Sequence, residues 1–423
     1  MERVAVSPRP DWQAKVEALG FDWHSAPSPE DPVGRYWDES AYWRLTVDEV
    51  DLLEAATSEL HGMCVAATGQ ALARGLLPGF GFKPDAIALI EDSWRRRDDD
   101  QPSLYGRFDF AFGGAGVGDG QPKMLEYNAE TPTGLYEAAV VQWTWLEERF
   151  PESDQFNSLH EGLVAAWGKL KGGLTRTNFE SLPVHFTCLM PHPEDEGTLR
   201  YMLDTALEAG LAAKTIAVSD VGWSAPVEAG DVARDVASYG HFVDLEDTPI
   251  TTLFKIVPLD WLLGDEFGAQ LIHATMQRQL TVIEPAWKMV AANKAILAVL
   301  WEMYPGHPHL LPALMDRRAF EPGATVVAKP LLGREGANIS ITVLGENGAP
   351  DGAPLATSGG TYGEEGYVYQ AHAPLASAPG PDGATNYAVI GSWMIDGVSR
   401  GLGIREDVGL ITHNRSRFVP HLF

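Results

Sequence analysis

The chain has 423 residues, 45% of them hydrophobic and 21% charged, proportions that exclude wholesale disorder. Lys plus Arg number 31 against 58 for Asp plus Glu, giving a formal net charge of −27. That field excludes a general nucleic-acid binder and would favour cationic partners such as polyamines, although a plain solubilising charge is the stronger explanation.

The amino terminus, MERVAVSPRPDW, has no apolar core of a secretory signal. The first forty-odd residues, rich in Pro, Trp and charge, read as an irregular covering segment. Thr46 and Glu49 then form a T-x-x-E capping box, and Val50, Leu53, Ala56, Leu60, Met63 and Ala67 follow at helical spacing. Cys64 sits beside that stripe and reads as core. With Cys188 it makes no CxxC pair, which excludes zinc ribbons, iron–sulfur sites and disulfide scaffolds and fits a reducing cytoplasm. No apolar run approaches the ~18 residues needed to span a bilayer, so no membrane partner is expected.

Two strands follow, Ser103 to Phe112 and Lys123 to Glu130, joined by the glycine-rich stretch Gly113 to Gly120. A helix is expected from Gly134 to Arg149, with Trp143 and Trp145 in a core or an interface. From about 155 to 280 the pattern alternates as in a small α/β lobe, with strands at 184–190, 214–218 and 251–257 and a helix at 198–210. The last part opens with TVIEP, continues as a helix over 294–304, and has strands at 325–329 and 338–343 around the loop LLGREGA. A Pro/Gly-rich loop at 371–385 precedes the final strands. The expected parts are 1–180, 181–280 and 281–423.

Alternation along the first strand pair places chemistry on one face. Arg107 and Asp109 share a face in GRFDF, and Phe108 and Phe110 the other; in MLEYN, Glu126 and Asn128 share a face, and Leu125 and Tyr127 the other. Paired as a hairpin, the runs collect a guanidinium, two carboxylates and an amide oxygen. Those oxygens suit Mg²⁺ shared with substrate phosphates. A guanidinium suits a group that gains charge in a transition state. An amphipathic hairpin with a solvated face accounts for the same pattern.

Lys329 ends an apolar strand before a loop in which Gly333 and Gly336 allow a sharp bend and expose backbone N–H groups to an anion. Lys294 lies 35 residues earlier, near a helix start. Two lysines and such a loop can hold a triphosphate, although an ordinary hairpin turn and exposed charges fit each feature singly. P-loop and dinucleotide-binding fingerprints are absent, as are H-E-x-x-H and G-x-S-x-G.

The runs GRFDF, KMLEYNAETPTGLYE, ANKAIL, AKPLLGREGANI and GLGIREDVGLIT, in that order, resemble the synthetase part of glutathionylspermidine synthase and its stand-alone bacterial relatives. The likeness runs from RPDW to SRFVPH. It implies an α/β (α+β) ATP-grasp fold in circularly permuted arrangement, with metal ligands ahead of the lysines, and a small α/β substrate lobe. It implies an ADP-forming acid–amine ligase that makes an amide bond through an acyl phosphate, with Mg²⁺ and ATP, a carboxylate of peptidic kind, and an amine of polyamine type.

By the same likeness, Arg107 is the transition-state arginine, with Phe108 beside it at the nucleotide. Asp109, Glu126 and Asn128 bind the metal, and Asp109 also meets ATP. Thr131 touches the peptide substrate. Lys294 and Lys329 bind ATP, Glu335 and Gly336 cover the phosphates, Gln370 meets adenine, and Leu410, Ile411 and Thr412 lie near the nucleotide. Arg405 is a late active-site arginine. Asp195 and Glu196 are candidates for substrate contact, or charges at a helix start. The chain starts directly in the synthetase part, so no amidase back-reaction is expected. Two other readings share the residues: the same fold joining a peptide or amino acid to a different amine, and an ATP-binding partner protein without turnover.

Overall fold

The computed structural model describes residues 1–25, 34–174, 182–225, 240–380 and 383–423. Part of the 371–385 loop lies outside them.

The chain builds a mixed α/β structure with several sheets. The central sheet orders its strands as Arg417–Val419, Val398–Asp407, Thr385–Ile395, Tyr105–Ala111 and Lys123–Asn128, with Ala376–Pro379 pairing onto the long middle strand. The early hairpin thus shares a sheet with the carboxyl-terminal strands. The helix Val47–Ala73 covers its apolar face, starting at the expected capping box: Glu49 N–H donates to Thr46 Oγ1 at 3.2 Å, and Thr46 N–H donates to Glu49 Oε2 at 2.9 Å. Phe108 and Tyr127 stack beneath it with ring centroids 3.9 Å apart. Cys64 is fully buried there.

A five-stranded antiparallel sheet carries the LLGREGA loop between Thr325–Pro330 and Ser340–Val343. The middle lobe is a four-stranded parallel sheet ordered Thr281–Ile283, Thr252–Lys255, Val184–Cys188, Ala213–Ala217. The chain leaves Val184–Cys188 toward one edge and returns on its other side, so its switch point lies between that strand and Thr252–Lys255. Crevices at such points, at the carboxyl ends of the strands, are where open α/β sheets bind ligands.

Two expectations are corrected, and a third is borne out with a local change of winding. Among its described residues the amino-terminal segment carries regular elements: Glu2–Ala5 pairs with Ala41–Arg44, which pairs in turn with His421–Leu422, and Trp12–Ala18 is helical. The expected helix from Gly134 to Arg149 forms, with a π-turn at Glu137–Val141 wound into it ahead of the α-helix Gln142–Arg149; Trp145 is core, whereas Trp143 is exposed. The 371–385 stretch contains the strand Ala376–Pro379, whose ladder to Thr385–Ile395 no hydrophobic alternation announces. No helix among the described residues is long and apolar enough to cross a membrane.

Candidate active site

The hairpin pairs Arg107 with Asn128 and Asp109 with Glu126, so all four side chains share the face away from the helix. The ladder then shifts, with Phe110 opposite Met124 and Leu125 as the extra residue of a bulge. Met124 is therefore buried, and Leu125, expected in the core with Tyr127, instead lines the cleft.

These residues form one side of a cavity of about 420 Å³, within the usual size for a small-molecule site of roughly 300–1,000 Å³. Arg107 grips Asp109 with two bonds, Nε to Oδ1 at 2.7 Å and Nη2 to Oδ2 at 3.0 Å, and its Nη1 donates to the Thr133 carbonyl. Its guanidinium lies 5.7 Å from the Trp393 ring centroid. It crosses bare backbone at Gly391, where a Cβ would stand 2.8 Å from Arg107 Cδ. Asn128 Nδ2 donates to Glu126 Oε1 at 2.9 Å and Asp109 Oδ2 at 3.2 Å.

Both lysines reach the same cavity. Lys294 Nζ contacts Glu126 Oε2 and donates to the Gly333 carbonyl at 2.6 Å. Lys329 Nζ donates to the Leu125 carbonyl and to Gln370 Oε1, each at 2.7 Å, and Gln370 Nε2 donates to the Met124 carbonyl at 2.9 Å. Burial opposes the ionised Glu126, yet Lys294 and Lys329 outweigh it and hold the carboxyl down to about 2. Burial pushes Lys329 down to about 8 and raises Asp109.

The loop from Leu332 to Ala337 borders the cavity. Glu335 and Gly336 both take positive φ, at 53° and 68°. Gly336 packs so closely on Thr412 that a Cβ would lie 2.2 Å from its carbonyl oxygen, so only glycine fits. Leu410, Ile411 and Thr412 form the facing wall, and Thr131 lies on the rim after the hairpin. Arg405 is held by the carbonyls of His413, Asn414 and Ser416 and stands 5.1 Å over the Tyr36 ring.

Phe108 is the expected site residue whose side chain does not arrive. Alternation turns it to the core, leaving only its backbone near the cleft. In the middle lobe, the helix begins at Pro193, earlier than expected, and its first turn places Glu194 and Asp195 in the cavity. Glu196 instead accepts from the His192 N–H at 3.0 Å and pairs with Arg200. Burial, and then the neighbouring Glu137 carboxylate, push Glu194 up to about 8. Glu137 itself is buried and accepts from Tyr36 Oη at 2.7 Å and Trp23 Nε1 at 2.9 Å. Sequence reasoning missed Glu194, although it adjoins Asp195 in the same acidic run, and Arg334, although it stands between the two loop glycines.

Buried ion pairs brace the site. Glu130 Oε1 receives Lys255 Nζ at 2.6 Å and also the Leu259 N–H, tying the end of the hairpin to the parallel lobe. Glu284 accepts the Leu104 and Tyr105 N–H groups, each at 2.9 Å, and Lys288 Nζ at 2.7 Å, fixing the start of the first hairpin strand.

A protein of Haemophilus influenzae, provisionally named an acid–amine ligase, is 39% identical over 428 residues, covering all of both chains. The trypanothione synthetase of Crithidia fasciculata is 27% identical across 85% of this chain, which spans 53% of that protein. The bifunctional glutathionylspermidine synthetase/amidase of Escherichia coli is 25% identical across 90% of this chain, which spans 59% of it. A glutathione synthetase-like effector from Globodera pallida, solved in its apo form, superposes with a TM-score of 0.55 at 9% identity, over 90% of this chain and 88% of that one; this is a likeness of fold. The family described as glutathionylspermidine synthase preATP-grasp matches residues 3–423, and the chain belongs to that family.

Proposed function

We propose that this chain is an ATP-grasp carboxylate–amine ligase, ADP-forming and circularly permuted in order, that makes an amide bond through an acyl phosphate. One observation carries the reading: three oxygen-bearing side chains and two lysines share one cavity and meet where Lys294 touches Glu126. In this reading residues 1–180 bring the metal hairpin, 181–280 the substrate lobe and 281–423 the nucleotide clamp.

The donor set fits magnesium. Asp109 and Glu126 are carboxylates within reach of one amide, and turning the Asn128 amide over presents its oxygen to the same point. Two carboxylates and an amide are too few for an all-protein cage, as suits an ion shared with phosphates. Bound there, magnesium would neutralise charge on the phosphate oxygens.

Lys294 and Lys329 exchange their present carbonyl and amide partners for ATP phosphates, while Gln370 and the wall at Leu410–Thr412 hold the nucleoside. A carboxylate oxygen of the acid attacks the γ-phosphorus. The bond from that phosphorus to the bridging oxygen breaks, and ADP leaves with the electron pair. Arg107, fixed by Asp109 and the Thr133 carbonyl, faces the moving phosphoryl group. Glu335 and Gly336, in the loop above, exclude water from the acyl phosphate. A neutral amine then attacks the acyl carbon, the carbon–oxygen bond to phosphate breaks, and phosphate departs with one amine proton. Thr131 and Arg405 contact the acid, and Asp195, joined by Glu194 once that carboxyl ionises, attracts the amine's positive charge before attack. The acidic corner suits a polyamine or another cationic amine. The route from acid to amide fits a cytoplasmic supply of ATP.

An acid labelled with ¹⁸O in its carboxylate tests this. ADP release should require the acid, amide should form with the amine, and one label should appear in the released phosphate. Unlabelled phosphate would exclude the acyl-phosphate route, and thermal stabilisation by ATP with no ADP from any substrate pair would leave a binding protein.

A further inference from the structure

The LLGREGA loop is tied down on both sides. Toward the carboxyl-terminal hairpin, Gly336 is wedged against Thr412. Toward the middle lobe, Arg334 forms a forked pair with Asp260, Nη2 to Oδ1 at 2.7 Å and Nη1 to Oδ2 at 3.3 Å. Its guanidinium also lies 6.0 Å from the Trp261 ring centroid. Among the described residues this is the one ion pair between the loop and the middle lobe.

Asp260 is not occupied by capping its own short helix. Among the described residues both its oxygens are recorded with Arg334 and with no backbone N–H. Its base is rigid, because the preceding N–H, on Leu259, donates to Glu130, which is buried with Lys255. Glu130 follows Asn128 by two residues. A closed path therefore runs from the hairpin through Glu130, Leu259 and Asp260 to Arg334, while the same loop reaches back to the hairpin through the Gly333 carbonyl, Lys294 and Glu126.

We propose that Asp260 is a positioning residue that holds the GREG segment closed over the acyl phosphate, so that the amine rather than water reaches the acyl carbon. The role in turnover rests on the ligase reading above. Water attacking the same carbon breaks the same carbon–oxygen bond and returns acid and phosphate, so ATP is spent without amide. In a tight enzyme, ADP and amide appear in a one-to-one ratio; a loosened loop raises that ratio.

The test uses the full chain with Asp260→Asn, which keeps the shape and removes the charge, and Asp260→Glu, which keeps the charge. Asp260→Asn should raise the ADP-to-amide ratio about threefold or more, and raise ADP release with acid but no amine, while ATP still raises the melting temperature. Asp260→Glu should bring the ratio back toward one. Hydrogen exchange of the amides at 331–337, which needs no turnover, should quicken about fivefold in Asp260→Asn. Unchanged exchange would overturn the tether whatever the activity. Faster exchange with the ratio still at one in an active enzyme would overturn the water-excluding role. A wild-type chain that makes no ADP with any acid would instead remove the ligase reading, and the exchange measurement would still decide whether Asp260 holds the loop.

Discussion

Lys294 Nζ lies 2.9 Å from Glu126 Oε2, although 168 residues separate them in the chain. Two clusters that alternation and loop chemistry identify separately are thus two ends of one electrostatic unit. An anion placed between them would compete with the carboxylate for the lysine, and a cation would offset the freed negative charge.

Replacing Lys329 by Met should lower kcat/KM on the order of 10²–10³-fold, the usual cost of losing one preorganised charged donor. Asp109→Ala should likewise remove turnover, with far-ultraviolet circular dichroism unchanged in both. Melting curves with and without ATP check the binding half: Lys329→Met should lose most of the ATP-induced rise. Wild-type rates in Asp109→Ala at saturating magnesium would take that residue out of the site.

Gly391→Ala should harm catalysis without touching any polar group. Its Cβ would meet Arg107 Cδ at 2.8 Å and lift the guanidinium from the sheet. A displacement near 1 Å costs roughly 10²-fold in rate. Steady-state kinetics should register the loss mainly in kcat, because in the proposed reading Lys294 and Lys329 would still hold the nucleotide.

Glu194 gives a sign for pH. Its folded carboxyl, pushed up to about 8 by burial and by Glu137, is protonated at neutrality. It ionises as pH rises through about 8, so the KM for a cationic amine should fall across that range and stay flat in Glu194→Gln. For stability the sign is opposite. The folded state keeps a proton that the unfolded carboxyl, with its ordinary value of 4.5, gives up, so Glu194 contributes most below about pH 4.5 and progressively less up to about 8. Thermal melts of both proteins from pH 4 to 9 should therefore show Glu194→Gln gaining on the wild type as pH rises.

Lys255→Met leaves Glu130 charged and buried without its cation. Breaking such a pair costs about 3–5 kcal/mol, which should appear as a lower urea midpoint. Adding Glu130→Gln keeps an acceptor for the Leu259 N–H and removes the stranded charge, so the double variant should recover most of the loss.

The hairpin face was legible because GRFDF and MLEYN alternate strictly, and side chains alternate with them. The capping box at Thr46 was legible because its signal is local. Strict alternation misplaced Leu125, since a bulge has no fixed composition. Asp260 was illegible for a different reason: nothing in LDWLLG marks it, and its meeting with Arg334 depends on the strand order of a parallel sheet and on a loop 74 residues away. Local chemistry can be read along a chain, whereas partners chosen by topology cannot.

The single extra residue at Leu125 has a consequence for the buried lysine facing it. In an unbroken strand, consecutive carbonyls point to opposite edges, so one of any adjacent pair is spent on the neighbouring ladder. Here the carbonyls of Met124 and Leu125 both face outward, one toward the Gln370 amide and the other toward the Lys329 ammonium. A one-residue deletion would restore the strand's parity and send one of those oxygens back into the sheet, leaving the buried ammonium or the Gln370 amide one acceptor short, so an irregularity of spacing rather than any reactive group sets where this lysine waits.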